Sequence, residues 1–129
     1  MKILNGVDII EIHRIQKAIE RSGKSFINKI FTKVEQEYCD NKGKQCYASY
    51  AARFAAKEAV SKALGKGFGE DVSPICVEVI NDDNSKPTLH LSGNAEMLFV
   101  KLGCCSVDIT LSHCKEYAVA MVTILIDTK

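Results

Sequence analysis

Asp8 is an acidic residue on what the sequence predicts to be the apolar face of a strand. The alternation of residues 2–12 puts Asp8 on one face with Leu4 and Ile10. Gly6 lies two residues earlier on that face and leaves room for another group to approach closely. An unpaired carboxylate in apolar surroundings is costly, so Asp8 is either an acid at a turn or strand edge or part of a functional site.

Glu58 repeats the pattern on a predicted helix. At 3.6 residues per turn, Tyr47, Ala51, Phe54 and Glu58 fall within a stripe of about 60°. Lys62, one turn later, is one candidate partner for this carboxylate. A hard divalent cation is the other, because Mg²⁺ takes one or two carboxylates and completes its shell with water and phosphate oxygens. Two such acids together favour a functional site over unrelated surface acids.

Groups that can bind an anion cluster toward the end of the same helix. They are Arg53, Lys57, Ser61, Lys62, Gly65, Lys66 and Gly67. A Gly-Lys-Gly turn offers backbone amides to phosphate, although the P-loop spacing is absent and the glycines also fit a simple helix stop. His113, beside Ser112 at a predicted strand end, is either a ligand contact or a histidine at the edge of the core.

Net charge is unevenly distributed along the chain. Residues 13–33 contain six basic residues and one acidic residue, a net charge of +5 in a chain whose total is +1. Such an excess fits either an acidic partner or a solvated helix face.

These residues require a set of elements to position them. The predicted order is β-α-α-α-β-β-α-β-β, in a single compact α+β domain over residues 1–129. The predicted elements are a strand over 2–12, a helix from 13 to Ser22-Gly23, a helix opened by the capping box Thr32–Glu35 and ending at Cys39, a long helix over Gln45–Leu64, strands over Ile75–Asn81 and Pro87–Leu91, a helix from Ser92 to Gly103, and strands over Ser106–His113 and Tyr117–Ile126.

Composition limits the class of protein. The chain has 129 residues, of which 47% are hydrophobic and 26% charged, which excludes disorder. No apolar run reaches the roughly 18 residues of a membrane helix, so we expect a cytoplasmic protein. The six cysteines form no Cys-x-x-Cys pair, which favours reduced thiols over a zinc site or a disulfide framework.

Five ordered segments resemble the motifs of the holo-[acyl-carrier-protein] synthases, the small group of 4'-phosphopantetheinyl transferases. The segments are Gly6–Ile12 with Arg14, Ile30–Thr32 with Glu35 and Tyr38, Arg53–Gly65, Lys86-Pro87, and Leu111–His113 followed by Tyr117–Ala120. The helical segment is the most specific, and the five together span nearly the whole chain. Asn5 and Ser85 depart from the family pattern, and Ser85 stands where glycine is common before Lys-Pro.

The resemblance implies the fold and the transfer reaction of that family. Its members move the 4'-phosphopantetheine arm of coenzyme A to a serine of apo acyl carrier protein, release adenosine 3',5'-bisphosphate, and support fatty acid biosynthesis. The resemblance makes Asp8 and Glu58 the expected ligands of Mg²⁺, which binds together with the coenzyme pyrophosphate. It gives Lys62 phosphate contact and protonation of the leaving group, and Glu58 is the candidate to orient or deprotonate the serine.

The remaining contacts are also implied by the resemblance. Arg14 and Arg21 are expected to dock the acidic carrier protein, and the family is usually a homotrimer whose sites are shared between protomers. We expect no nucleic-acid or membrane partner. The expected coenzyme contacts are Arg53, Ser61, Lys62, Gly65, Lys86, Pro87, Ser112 and His113.

Two other classes of function fit parts of the sequence. A non-catalytic module could use the basic segment to bind an acidic protein or nucleic acid, but it gives no reason for Asp8 and Glu58. Nucleic acid is further disfavoured by a net charge near zero. A coenzyme A hydrolase or another Mg²⁺-dependent phosphotransferase could use the same acids without a carrier protein.

Overall fold

The central sheet has three antiparallel strands in the order β1-β5-β4, and a long helix packs against it. Strand β1 spans Lys2–Glu11, β4 spans Cys104–His113 and β5 spans Tyr117–Ile126. The computed structural model describes residues 1–127, and residues 128–129, the end of the predicted domain, lie outside the described residues. The mixture of helices with antiparallel strands confirms the predicted α+β class.

The other elements surround this layer. A second sheet pairs β2 with β3 antiparallel. The bounds are α1 Ile12–Ser22, α2 Lys24–Ile30, α3 Lys33–Asp40, α4 Cys46–Leu64, β2 Val77–Asn81, β3 Pro87–Leu91 and α5 Gly93–Lys101, with short 3-10 turns at Gly43–Gln45 and Pro74–Cys76.

The predicted element order lacks one helix. The prediction has three helices before the second strand, whereas the structure has four, because α2 follows directly on α1. Gly23 ends α1 as expected, but its positive φ of 54° lets the chain turn and begin a new helix at once. The burial of Ile27 and Ile30 on one side of α2 holds this second helix against the core.

Helix α4 lies unusually close to strand β1. A Cβ built on Gly6 would stand 1.9 Å from the carbonyl oxygen of Ala59. The absence of a side chain at Gly6 therefore permits this packing, and the group predicted to approach this glycine is the helix backbone. Gly65, with φ of 71°, ends α4 in the left-handed conformation.

The alternation predicted for β1 is confirmed. Gly6 and Ile10 are buried and Asp8 is half-buried on the face that packs on α4. The opposite face of the sheet is apolar yet exposed. Its exposed side chains include Ile3 (60%), Val7 (55%), Ile9 (64%), Tyr117 (43%) and Met121 (50%).

A fully buried ion pair joins α4 to α3 and β2. Lys57 Nζ lies 2.8 Å from Glu35 Oε1, both side chains are 0% exposed, and the ammonium also donates to the carbonyl oxygens of Pro74 and Val77. Glu35 accepts hydrogen bonds from the backbone N–H groups of Thr32 and Val79 as well. The capping box is thus confirmed, but the expectation that Lys57 is a phosphate donor is wrong, because its ammonium is enclosed and its donors are occupied.

Residues 1–127 contain no helix that combines the length and the hydropathy needed to cross a membrane.

Candidate active site

Asp8 and Lys62 form an ion pair between β1 and α4. Lys62 Nζ lies 3.0 Å from Asp8 Oδ1 and also donates to the carbonyl oxygen of Val7 at 3.1 Å. The Asp8 side chain is 15% exposed and the Lys62 side chain 53%. Asp8 therefore has a cation beside it, and that cation is the lysine that the sequence offered as a partner for Glu58.

Glu58 lies close enough to both residues to feel their charges. Burial, and then the Asp8 carboxylate, raise the pKa of Glu58, and the Lys62 ammonium only partly opposes the rise. Tyr47, Phe54 and Glu58 are half-buried on a helix whose other sides are largely buried. Ala51, the fourth residue of the predicted stripe, is 0% exposed and Phe54 packs against the core, so the stripe lies at the border between the core and the more open face of α4.

Asp8 and Glu58 suit a hard divalent cation. Each offers carboxylate oxygens at the same face of α4, where a bound cation would offset the repulsion between the two acids. Mg²⁺ prefers this donor set, with water and phosphate oxygens in its remaining positions. Lys62 is half-exposed, so its ammonium can exchange Asp8 for a phosphate.

Arg53 lies on another side of α4, in a second group of predicted site residues. The five residues that separate Arg53 from Glu58 along the helix place them about 7.5 Å apart along the axis and about 140° apart around it. Arg53, Pro87 and His113 line one cavity of about 190 Å³, together with Ser49. The structure therefore brings together three of the eight residues expected around the coenzyme.

The other expected coenzyme contacts do not line this cavity. Ser61 is 2% exposed and its hydroxyl donates to the carbonyl oxygen of Lys66, beyond the helix-ending Gly65. Lys86 pairs with Asp108 at 2.7 Å. Ser112 is exposed and, by strand alternation, faces the side of β4 opposite to His113.

Ser85 adopts a backbone conformation that glycine reaches easily, which explains why the family commonly has glycine at this position. Its φ of 64° lies in the left-handed region, and it is the non-glycine residue with positive φ in the described chain. Asp82 stabilises the turn by accepting hydrogen bonds from the backbone N–H groups of Asn84 and Lys86. Ser85 therefore departs from the family pattern in residue type but keeps a left-handed backbone conformation that favours glycine.

The basic segment presents a charged face on α1. Arg14, Lys17 and Arg21 are exposed on α1, at spacings that place them on one side of the helix. Among the described residues, none of the six basic side chains of this segment forms an ion pair. Their charge is therefore available to an acidic partner.

Three residues beside Arg53 were not assigned to a site from the sequence. Tyr38 stacks on the guanidinium, Asn81 accepts its hydrogen bond, and Lys42 lies over the same tyrosine ring. The spacing of four residues between Tyr38 and Lys42 was the sequence feature that could have indicated this pair. Asn81 carries no local signal, because only the packing of β2 against α4 brings it to Arg53.

Comparison with known proteins agrees with this architecture. Residues 5–122 match the family model of the 4'-phosphopantetheinyl transferase superfamily. The chain is 48% identical over 124 residues to a holo-[acyl-carrier-protein] synthase of Ruminiclostridium cellulolyticum, covering 96% of this chain and 92% of the relative.

Solved structures give the same result. The Bacillus anthracis holo-(acyl-carrier-protein) synthase in complex with CoA (3',5'-ADP) has a TM-score of 0.78 and 38% identity, covering 96% of each chain. The Helicobacter pylori holo-[acyl-carrier-protein] synthase in complex with coenzyme A has a TM-score of 0.84 and 29% identity, covering 95% of this chain and all of that one. The chain therefore belongs to the 4'-phosphopantetheinyl transferase superfamily and, within it, to the holo-[acyl-carrier-protein] synthases.

Proposed function

We propose that this enzyme transfers the 4'-phosphopantetheine group of coenzyme A to a serine of apo acyl carrier protein. The observation that carries the proposal is the Asp8–Glu58 pair with Lys62 on the open face of α4, in a chain of this family. The crystallised relatives that bind coenzyme A support the choice of donor.

The reaction exchanges one phosphorus–oxygen bond for another. The serine oxygen bonds to the phosphorus that carries the pantetheine, and the bond from that phosphorus to the bridging oxygen breaks. Adenosine 3',5'-bisphosphate leaves with the electron pair of that bond. Such a transfer depends mainly on positioning and charge stabilisation, so the protein has to align two oxygens and balance negative charge.

Three side chains fit these tasks. Asp8 and Glu58 would hold Mg²⁺, which when bound supplies positive charge to the pyrophosphate. Glu58 would orient the serine hydroxyl and accept its proton as an ionised carboxylate. The half-exposed Lys62 ammonium donates to phosphate and supplies a proton to the leaving oxygen.

The exposed basic face of α1 is the proposed docking site for the carrier protein. Arg14 and Arg21 lie on this face and make no ion pair among the described residues. Complementary charge speeds encounter and fixes orientation between such partners. We place the activity in the cytoplasm, where it supplies carrier protein for fatty acid biosynthesis.

We further propose a homotrimer whose sites are shared between protomers. The exposed apolar face of the sheet, which includes Ile9 and Met121, supports self-association. Within one chain Asp8 lies on edge strand β1 and His113 on the opposite edge strand β4, roughly 10 Å apart across the sheet. In a trimer, the group around His113 of one protomer can lie beside Asp8 of the next protomer and complete its site.

Intact-mass spectrometry of apo acyl carrier protein tests the proposed reaction. Incubation with this enzyme, coenzyme A and Mg²⁺ should add one phosphopantetheine to the carrier protein, and EDTA should prevent the addition. Consumption of coenzyme A without a gain in carrier mass would contradict the transfer and indicate a hydrolase or another phosphotransferase.

Charge reversal tests the docking face. Arg14→Glu with Arg21→Glu should raise KM for the carrier protein about tenfold while coenzyme A binding stays unchanged. Lys101→Glu, on the exposed end of α5, is the matched control. An unchanged KM in the double variant would remove α1 from the docking surface.

Light scattering tests the assembly. The wild type should have three times the 14.2 kDa mass of the chain, and Met121→Asp should lower the mass toward that of one chain. Met97, which is 73% exposed on α5, provides the control Met97→Asp. A wild-type monomer with full activity would contradict the shared site.

A further inference from the structure

One row of polar side chains crosses the exposed face of the central sheet. Asn5 on β1 and Asp108 on β4 are both register partners of Thr123 on β5, so the three side chains lie side by side across the sheet. Strand alternation puts them on the face opposite to the one that packs on α4. Asn5 is also a position at which the sequence departs from the family pattern. A feature of this particular chain therefore interrupts the apolar face at one level.

The two edges of this face differ in chemistry. The exposed side chains that flank Asn5 on the same face of β1 are Ile3 and Val7. The exposed side chains that flank Asp108 on the same face of β4 are Ser106 and Thr110. Asn5 is therefore a polar residue between apolar neighbours, and Asp108 is a charged residue between hydroxyls. Thr123 joins these two exceptions in a single row.

Each end of the row has a hydrogen-bonding group that the chain itself does not use. Asn5 Oδ1 accepts from Thr123 Oγ1 at 3.0 Å, and no acceptor among the described residues pairs with the Asn5 amide nitrogen. Asp108 Oδ1 accepts from Lys86 Nζ at 2.7 Å and from the backbone N–H of Ile109. Asp108 Oδ2 has no donor in the described part of the chain. The row therefore ends in a donor at the β1 edge and an acceptor at the β4 edge.

Lys86 keeps the acceptor charged. Its hydrogen bond lowers the pKa of Asp108, so the carboxylate is ionised at neutral pH. A hydrogen bond to an ionised acceptor is about twice as strong as one between neutral groups. An amide donor that approaches the exposed face of β4 therefore favours Asp108 over the neighbouring hydroxyls of Ser106 and Thr110.

Shape is complementary between the same two edges. The β1 edge carries a ridge of exposed apolar side chains, Ile3, Val7 and Ile9. The β4–β5 side carries a cavity of about 290 Å³, whose lining includes Asp108, Thr110, Met121 and Thr123. A ridge on one edge and a cavity on the other suit a head-to-tail contact, which closes into a ring when the rotation between copies permits. The occupant that fits this face is therefore a second copy of this chain.

We propose that Asn5 sets the register in which the β1 edge of one protomer meets the β4 edge of the next, by donating a hydrogen bond from Nδ2 to Asp108 of the next protomer. This inference rests on the proposed homotrimer. A slip by one row, which is two residues along the strand, would remove the donor from its charged acceptor. A single polar residue in an apolar interface specifies register in coiled coils in the same way.

The register of this contact determines the geometry of the proposed shared site. Strands β1 and β4 are both antiparallel to β5, so they run in the same direction. Asp8 lies three residues beyond Asn5, and His113 lies five residues beyond Asp108. Alignment of Asn5 with Asp108 therefore leaves Asp8 and the next protomer's histidine about 7 Å apart along the strand direction. A slip by one row would change this separation by about the same distance, so Asn5 is a positioning residue for the site.

Exchange of the two residues tests the contact. Within one chain Asn5 and Asp108 lie on opposite edge strands, roughly 10 Å apart with β5 between them, so a direct contact must join two chains. Asn5→Asp should raise the protein concentration at half-assembly at least about tenfold, because a second carboxylate then faces Asp108. Addition of Asp108→Asn should restore a midpoint near that of the wild type, because donor and acceptor are then exchanged. Sedimentation velocity over a dilution series measures these midpoints.

Two further variants separate register from a general effect of polarity. Asp108→Asn alone should weaken assembly only slightly, because its amide oxygen still accepts from Asn5. Thr110→Asn places an amide on the same strand and face but one row away, so it should not rescue Asn5→Asp. Circular dichroism spectra show whether each variant is folded.

The transfer assay gives an independent readout of positioning. Below its midpoint of assembly, Asn5→Asp should lose transfer activity. Above that midpoint it should regain the kcat of the wild type, because its catalytic groups are intact and only their assembly is weakened. A variant with damaged catalytic groups would not recover at high protein concentration.

Four results would overturn the proposal. They are a wild type that does not assemble, a folded Asn5→Asp that assembles like the wild type, no rescue by Asp108→Asn, and equal rescue by Thr110→Asn. The first would also contradict the proposed homotrimer, whereas the other three would leave it intact. Transfer to the carrier protein is measured separately by mass spectrometry, so its failure is distinguished from a failure of the register.

Discussion

Lys57 and Glu58 are neighbours in the sequence, yet each belongs to a different kind of carboxylate–ammonium group. Lys57 pairs with Glu35 where both side chains are 0% exposed and their hydrogen-bonding atoms are occupied by backbone. Glu58 faces Asp8 and Lys62 on the open side of the same helix, where the lysine is 53% exposed. The same residue types hold the fold together on one side and remain available for ligands on the other.

Solvent access accounts for the difference. A buried ion pair must satisfy every polar atom within the protein, so it is rigid and costly to break. An exposed pair contributes little stability, so its partners can separate when a ligand arrives. On the open side the two acids also repel each other, since the Asp8 carboxylate adds to burial in raising the pKa of Glu58.

The largest expected effect comes from breaking the buried pair. Lys57→Met should lower the free energy of unfolding by about 3–5 kcal/mol, because it leaves the Glu35 carboxylate buried without its cation. The matched control is Lys62→Met, which should change stability by less than about 1 kcal/mol but impair transfer. Urea denaturation measures both, and equal losses of stability would contradict the comparison.

Removal of one carboxylate charge from the open group should abolish most activity without unfolding the protein. Asp8→Asn should reduce kcat/KM for transfer about 100-fold, equivalent to about 2.7 kcal/mol of transition-state stabilisation. Asp108→Asn, in the exposed pair with Lys86, is the control and should keep most activity. Steady-state kinetics at saturating Mg²⁺ would refute the assignment if Asp8→Asn retained full activity.

A second substitution at the buried pair should restore part of the lost stability. Adding Glu35→Gln to Lys57→Met removes the uncompensated charge while Gln can still accept from the backbone of Val79. We expect the double variant to be about 1–2 kcal/mol more stable than Lys57→Met alone. If the double variant were the less stable of the two, uncompensated charge would not be the cause of the loss.

The smallest effect concerns Glu58 in metal-free protein. A raised pKa means that the folded state binds a proton more tightly than the unfolded state, so ionised Glu58 costs stability at neutral pH. Glu58→Gln should therefore raise stability by about 0.5–1 kcal/mol in EDTA. The gain should fade as the pH falls through the raised pKa, because the wild-type carboxyl is then protonated too. A gain that grew toward acid pH would contradict this sign.

Local patterns were enough to predict several parts of the site. The alternation of β1 put Asp8 and Gly6 on one face of the strand, which packs on α4 in the structure, and the composition of 45–64 gave the long helix within one residue of its observed start. The capping box was also predictable, because its hydrogen bonds lie within four residues. Each of these features is fixed by neighbours in the sequence.

Features that depend on distant contacts could not be predicted in this way. A lysine between Arg53 and Lys62 fits a surface position, and only the meeting of α3 with β2 encloses Lys57. Lys62 likewise pairs with Asp8, 54 residues away, rather than with Glu58 one turn before it. Helix α2 was missed because the glycine that ends one helix also begins the next.

Metal binding tests the central claim, that the open group is the working site and the buried pair is structural. Mn²⁺ would be titrated against wild type, Asp8→Asn, Glu58→Gln and Asp108→Asn in the presence of coenzyme A, with free Mn²⁺ followed by electron paramagnetic resonance. The account predicts one bound ion per wild-type chain, at least tenfold weaker binding in Asp8→Asn and Glu58→Gln, and no change in Asp108→Asn. Equal binding by all four proteins would contradict it.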